Sequence, residues 1–393
     1  MTAPTLELLL NAELYTPDPM GVCHLLIGGG RLLYVGTERP SVTPSSLVAV
    51  TDLAGARVIP GLIDGHVHLT GGGGEAGPAS RVPAPPLTAY TLGGVTSAVG
   101  VLGTDDVVRT TASLVAAARS LTAEGLSAWC HTGGYHLPLA TLTGSVRGDI
   151  VHVDCIIGVG ELAISDHRSS QPTFDEIVRI AGDAHVAGLM TGKAGILHLH
   201  VGDGPRGLEC IRRALAETEL PARVFQPTHV NRRRSLFDEA VALAREGVPV
   251  DITDFPVDDG EDAWCAADAL ERYWERGAPA GKVTVSTDGG GCLPVFDNDR
   301  NVIAMDVGDS RALSRTIATL LARGHALETV LPPFTRNVAE ALRLHGKGRL
   351  VVGADADVVV LGSNHLPLHV MARGAWMVRN SAPVRRGTFE VGA

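Results

Sequence analysis

The stretch Ile59-Pro60-Gly61-Leu62-Ile63-Asp64-Gly65-His66-Val67-His68 places two histidines one residue apart. Side chains two apart on a strand share a face, so His66 and His68 can grip one ion together. Neutral imidazole suits zinc and similar divalent cations. Further residues of metal-ligand type, Glu161, His200, His229 and Asp288, then stand at the ends of short apolar runs. Any one of them alone reads as a solvated loop residue. Their recurrence at successive strand ends predicts a metal centre, because barrel active sites are built where the strands end. His198 lies one layer deeper than His200 and reads as a barrel-filling or supporting histidine. His131, His136 and His152 take the same reading.

The elements that must position these residues follow from the apolar periodicity. Up to about residue 55 the chain reads as short strands, with 22–27 and 31–35 flanking Gly28-Gly29-Gly30 as a hairpin. Strand-like runs at 59–66, 95–102, 127–131, 151–159, 195–201, 223–229, 248–253 and 283–288 come next. They alternate with helical segments at 107–125, 173–187, 207–218, 235–246, 263–276 and 310–323. This alternation argues for a parallel sheet, and eight runs fit a closed (β/α)8 barrel, with an open doubly wound sheet as the alternative. The tail returns to strands at 349–353, 358–361, 369–373 and 375–378. The expected fold is therefore α/β: a TIM-like barrel over 57–346 and a small β-sandwich domain built from 1–56 and 347–393.

Composition narrows the function classes. A chain of 393 residues is long for one core and accommodates a barrel with a smaller module. The net charge is -10 and no basic run exceeds Arg232-Arg233-Arg234, which speaks against nucleic acid. Six scattered cysteines without a C-x-x-C pair suggest buried thiols in a reducing compartment. The start lacks a basic n-region, and no stretch approaches the roughly 20 apolar residues of a membrane span. The expectation is a soluble, cytoplasmic protein with neither a membrane nor a nucleic-acid partner.

The order H-x-H, acid, His, His, Asp resembles the amidohydrolase superfamily, as does the tail Gly353-Ala354-Asp355-Ala356-Asp357-Val358-Val359-Val360. More specific are Gly71-Gly72-Gly73-Gly74-Glu75-Ala76-Gly77-Pro78, Gly103-Thr104-Asp105, Thr132-Gly133-Gly134-Tyr135-His136, Ile164-Ser165-Asp166-His167-Arg168, Pro227-Thr228-His229-Val230-Asn231-Arg232 and Ser286-Thr287-Asp288-Gly289. This set is similar to the isoaspartyl dipeptidase family along nearly the whole chain. The resemblance implies two divalent metal ions, with zinc expected, bridged by a hydroxide that attacks the amide carbonyl. His66, His68 and Asp288 would hold the first ion, and His200 and His229 the second. It also implies that Asp288 shuttles the proton and Tyr135 stabilises the oxyanion. Glu75 would bind the substrate ammonium, Arg168 and Arg232 its carboxylates, and Thr104 a further substrate atom. The implied partners are a small β-aspartyl dipeptide and further copies of the chain, up to an octamer.

Two positions depart from the family pattern. Family members bridge the metals with a carbamylated lysine in a segment like Gly-Val-Lys-Cys-Ala-Ile-Ser-Asp-His-Arg. Here the segment reads Gly158-Val159-Gly160-Glu161-Leu162-Ala163-Ile164-Ser165-Asp166-His167-Arg168, and the only lysines in the chain are Lys193, Lys282 and Lys347. Glu161 stands in the lysine's place with one residue inserted before it. Glutamate is shorter than a carbamylated lysine, so an inserted residue would have to bulge the strand toward the metals, with Gly160 supplying the backbone freedom. Cys292 stands where the family carries a substrate-contacting serine, and a thiol is the weaker hydrogen-bond partner. Two other readings are another amidohydrolase, acting on a cyclic amide or an N-acyl amino acid, and a barrel that has lost its chemistry.

Overall fold

The computed structural model describes residues 6–43, 46–297 and 299–390. Strands β1 (Leu6–Tyr15), β2 (Pro19–Gly28), β3 (Arg31–Gly36), β4 (Val48–Asp52) and β5 (Arg57–Pro60) open the chain. The turn from β2 to β3 runs through Gly29 and Gly30, both at positive φ, which a two-residue hairpin turn requires. Leu9, Ala12, Leu14, Cys23, Leu25, Ile27 and Leu32 form the inner face and share a separate core with Val358, Val360 and Met371 from the far end of the chain.

At Gly61 the chain leaves this sheet. A Cβ there would meet Thr96 Oγ1 at 2.1 Å, so only glycine passes. The apolar run 59–66 is therefore split, Ile59 and Pro60 pairing with Val359 and Val358 near the far end of the chain and the remainder starting the parallel sheet. That sheet takes β6 (Leu62–Val67), β7 (Val95–Gly100), β8 (Ser127–Thr132), β9 (Ile156–Ile164), β10 (Ile196–Val201) and β11 (Phe225–Thr228) in sequence order. β12 (Val250–Thr253) and β13 (Val283–Ser286) form a second parallel pair. Asp288 N donates to His66 O at 3.1 Å and His68 N to Gly289 O at 2.8 Å, tying the end of β13 to β6. On the other side, Val230 N donates to Asp251 O at 3.3 Å. The strands are buried on both faces, as the near-continuous apolar runs require.

Helices Thr111–Glu124, Phe174–Thr191, Glu209–Glu217, Arg234–Arg245, Ala266–Glu275 and Ala312–Ala322 fall between or after these strands. The first begins later than periodicity indicates. Thr110 caps it in a reciprocal pair with Ser113, and Val107 and Val108 lie exposed in the preceding loop. The run 151–159 is also redrawn. Val146–His152 is helical, capped by Ser145 and anchored by Asp149, which accepts from the backbone of Leu142 and Thr143. β9 thus starts at Ile156, Glu161 lies within the strand rather than at its end, and His152 is exposed at a helix end rather than filling the barrel.

After β13 an antiparallel hairpin, β14 (Cys292–Phe296) and β15 (Val302–Val307), stands over the strand ends. The chain closes with β16 (Val358–Leu361), β17 (Pro367–Ala372), β18 (Ala375–Arg379) and β19 (Ala382–Pro383). β16 pairs antiparallel with β5, so both termini build one mixed nine-stranded sheet. Residues 349–353 are not a strand, and Val351 and Val352 face solvent. This segment instead leads to Asp355 and Asp357, whose carboxylates lie 2.8 and 2.6 Å from buried Lys347 Nζ. Lys347 also donates to Ser127 Oγ of β8 at 2.7 Å, joining the terminal sheet to the parallel one. No helix among the described residues is long and apolar enough to cross a membrane.

Candidate active site

β9 carries one more residue than its neighbour allows. Val159 pairs with Leu197 and Leu162 with Leu199, so Gly160 and Glu161 together oppose His198 alone. This is the expected bulge. Gly160 has φ +136, and a Cβ on it would meet His198 O at 2.3 Å, so the position admits only glycine. The bulge turns Glu161 inward among the ends of the parallel strands, where it is 2 % exposed.

The Glu161 carboxylate faces the histidines with both oxygens. Oε1 is 3.6 Å from His68 Nε2. Oε2 is 3.7 Å from His66 Nε2, 3.0 Å from His200 Nδ1 and 3.6 Å from His229 Nε2. Asp288 Oδ1 lies 2.9 Å from His68 Nε2 and 3.4 Å from His66 Nε2. Asp288 has φ +53 and His229 φ +61, backbone turns just past the strands that aim both side chains inward.

The donor set fits a pair of cations. His66, His68 and Asp288 bring three ligand atoms within 4.8 Å of one another, and so do His66, Glu161 and His229. Among the described residues, His66 Nε2 and Asp288 Oδ1 are buried without an aligned hydrogen bond, as lone pairs converging on a third body would be. Burial opposes a charge on His66, yet Glu161 and Asp288 push its pKa up to about 9. Burial also opposes ionisation of the two acids. His66 and His200 still hold Glu161, and His66 and His68 still hold Asp288, well below the usual carboxylate range. A centre that lifts a histidine and depresses two carboxylates lacks positive charge, which divalent cations supply.

His200 reaches Glu161 with Nδ1, while its Nε2 faces Asp166 Oδ2 at 3.1 Å and Arg232 at 3.1 Å. It falls outside both three-atom groups, so the second group joins His229 to His66 and Glu161 rather than to His200. His229 Nδ1 meets Thr253 Oγ1 at 2.7 Å. Asp64 accepts from Thr287 N at 3.1 Å and steadies the turn that carries Asp288. Asp166 and Thr253 were not singled out from sequence. Asp166 sits inside the Ser165–Arg168 motif, whereas nothing in the sequence marks Thr253.

All the proposed substrate residues line the same cavity, of about 300 Å³, along with His68, Glu161, His200, His229 and Asp288. Tyr135 is 1 % exposed, and its hydroxyl lies 3.5 Å from Asp166 Oδ2. Burial pushes its phenol well above the ordinary value, so it stays a donor. Glu75 Oε1 accepts from Thr104 at 2.8 Å and lies 3.5 Å from Arg168, while Oε2 is buried with no hydrogen-bond partner among the described residues. Thr104 is thus committed to Glu75. Arg168 also bonds Asp166 at 2.8 Å, whereas Arg232 has no carboxylate within ion-pair distance among the described residues. Burial, with Glu75 and Asp288 nearby, pushes the Cys292 thiol up to about 11. His136, read as a core histidine, is half-buried on the rim, where it pairs with Asp106 and meets the Arg168 carbonyl oxygen at 2.9 Å. Leu293, Pro294 and Val295 of β14 add an apolar wall, and Arg300 anchors the hairpin to Asp203 at 2.6 Å.

No family model matches the chain. Among curated proteins, an N-substituted formamide deformylase from Arthrobacter pascens is 38% identical over 68 residues, which is 16% of this chain and 12% of that protein. Solved structures match far more fully. The β-aspartyl dipeptidase of Fervidobacterium islandicum AW-1 in complex with β-Asp-Leu dipeptide is 38% identical, with a TM-score of 0.92 over 98% of each chain. A second structure of β-aspartyl dipeptidase from that organism is 36% identical with a TM-score of 0.88, covering 96% of this chain and 98% of that one. The L-hydantoinase of Arthrobacter aurescens shares the fold, at 16% identity and a TM-score of 0.67 over 97% and 98% of the two chains. With full-length identity at this level and a buried His/Asp/Glu cluster at the strand ends, the chain belongs to the β-aspartyl dipeptidase family of amidohydrolases.

Proposed function

We infer that the protein hydrolyses β-aspartyl dipeptides at a centre of two divalent cations, with zinc the expected metal. The observation that carries this reading is the Glu161 carboxylate, one oxygen toward His68 and the other toward His66, His200 and His229. A carboxylate so placed would serve as the ligand shared by both cations and would need no carbon dioxide. His66, His68 and Asp288 would hold one cation, and His229 would hold the other with His200, which stands outside the two three-atom groups but lies 3.0 Å from Glu161 Oε2 through its Nδ1. When bound, the cations polarise the scissile carbonyl and lower the pKa of water, the two aids amide hydrolysis needs most.

The remaining work falls to the chain's own side chains. Asp288 takes the proton of the attacking water on its carboxylate and returns it to the leaving amine. The Tyr135 hydroxyl donates to the carbonyl oxygen as negative charge gathers there. Glu75 Oε2 receives the substrate ammonium, held in place by Thr104. Arg168 and Arg232 receive its carboxylates, for which a guanidinium fork is matched. Cys292 lines this site as a neutral thiol and contributes a weak contact. The architecture that supports these roles is a closed (β/α)8 barrel over 57–346 and a small β-sandwich from 1–56 and 347–393. The barrel is completed by β12 and β13, and the terminal sheet curls about its own core. The expected assembly is a homo-oligomer.

Turnover of β-Asp-Leu by zinc-loaded protein, compared with a cyclic imide and an N-acyl amino acid, tests the reading. Release of aspartate and leucine is the expected result. Preference for either alternative substrate, or protein that stays inactive and metal-free after zinc addition, overturns it.

A further inference from the structure

Beneath the metal-ligand layer the barrel holds a second layer of polar side chains that the hydrolytic roles above do not use. His66 Nδ1 lies 2.7 Å from His198 Nε2. His198 Nδ1 lies 3.1 Å from Gln226 Oε1. All three residues are at most 2 % exposed and stand on β6, β10 and β11. The ring of His131 on β8 stacks on His198 at 5.3 Å and 22°, which holds the imidazole plane.

Proton counting gives this chain a direction. Only one hydrogen fits between two ring nitrogens 2.7 Å apart. If His66 carries it on Nδ1, its Nε2 is a lone pair, and Nε2 is the atom that faces Glu161 and Asp288. His198 then accepts on Nε2 and carries its own hydrogen on Nδ1, which needs an acceptor. The Gln226 carbonyl oxygen is that acceptor. With the amide reversed, the hydrogen on His198 would move to Nε2, His66 would be protonated on Nε2, and ligation would be blocked. Metal-bound histidines ordinarily donate their second N–H to a carboxylate, a backbone carbonyl or water. Here the recipient is another imidazole, whose tautomer must itself be set.

We propose that His198 and Gln226 are positioning residues, a directed hydrogen-bond chain that fixes His66 as its Nδ1–H tautomer and so sets the affinity of the cation held by His66 and His68. The inference rests on the metal-centre reading above. Gln226→Met keeps the volume and removes the acceptor, whereas Gln226→Glu keeps an acceptor. Each variant and the unaltered protein are titrated with a chelator, and zinc release from the two positions is followed as two steps. The expected result is affinity at one position weakened roughly 10- to 100-fold in Gln226→Met. The other position stays unchanged, and Gln226→Glu restores the lost affinity. Metal-free melting temperatures report whether each variant folds. A folded Gln226→Met that binds both zinc ions like the unaltered protein overturns the proposal. Equal loss in the Met and Glu variants also overturns it, since that marks a packing effect. If the unaltered protein takes up no zinc, it is the metal-centre reading that fails.

Discussion

The carboxylate of Glu161 reaches from the bulge in β9 to His200, placing Oε2 3.0 Å from Nδ1. A β-strand without the extra residue would turn this position to the other face, because side-chain direction alternates residue by residue. The bulge therefore brings a short acid within reach of the histidines.

Two results follow from a bridge made of glutamate. Activity is unchanged in buffer stripped of carbon dioxide and bicarbonate, since no carbamate has to form. Glu161→Ala loses a direct ligand. Supporting partners alone are worth roughly 10–100-fold in metal affinity, so its loss exceeds that range. Metal analysis alongside β-Asp-Leu turnover checks both; dependence of turnover on bicarbonate would refute the first.

Tyr135 is buried beside the metal-facing residues but is not among them. Tyr135→Phe should lower kcat by about 10²–10³-fold, the usual cost of removing one oxyanion donor. Metal content and KM for β-Asp-Leu should hardly change. Steady-state kinetics and metal analysis separate this from a loss of the centre.

Arg232 is an inward-facing guanidinium with no carboxylate partner among the described residues, and burial lowers its pKa. A charge-assisted hydrogen bond is worth about 1.5–3 kcal/mol, so Arg232→Met should raise KM by roughly 10- to 150-fold. The substitution also removes a buried cation that has no carboxylate at ion-pair distance among the described residues, so the metal-free protein melts no lower than before. A marked drop in melting temperature would contradict the assignment of this side chain to substrate.

Asp254 Oδ2 is buried without a hydrogen-bond partner among the described residues, and burial pushes the pKa of its carboxyl up to about 6. The folded pKa is thus above the unfolded one. The neutral acid is accommodated at low pH, and stability falls as pH rises through the folded value. Asp254→Asn should raise unfolding stability by roughly 1–3 kcal/mol at pH 8 and leave it unchanged at pH 3.5. Denaturant melts at the two pH values measure this, and equal effects at both would refute it.

Much of this was legible along the chain. Most of the apolar runs reappear as parallel strands, and the H-x-H pair, His200, His229 and Asp288 gather at one end of them around Glu161, which lies within β9. The insertion before Glu161 and the glycine beside it were enough to anticipate a bulge. The boundaries were less legible. Periodicity cannot distinguish the apolar turns of Val146–His152 from a strand, and only the Ser145 cap and the Asp149 anchor make that segment helical. In the run 59–66 the break falls at Pro60-Gly61, and what confines that position to glycine is the approach of Thr96, a residue far along the chain.

The kinds of side chain available for chemistry were decided by sequence alone, since residue type and spacing set charge, ligand character and the face of a strand. Tertiary structure decided which of them act together. Thr104 serves Glu75, Asp166 and Arg232 take one side of His200, and His198 with Gln226 stands behind His66. Each of these pairings joins residues from different strands or loops, and the distance between their atoms depends on how the strands register against one another, a quantity that no local spacing encodes.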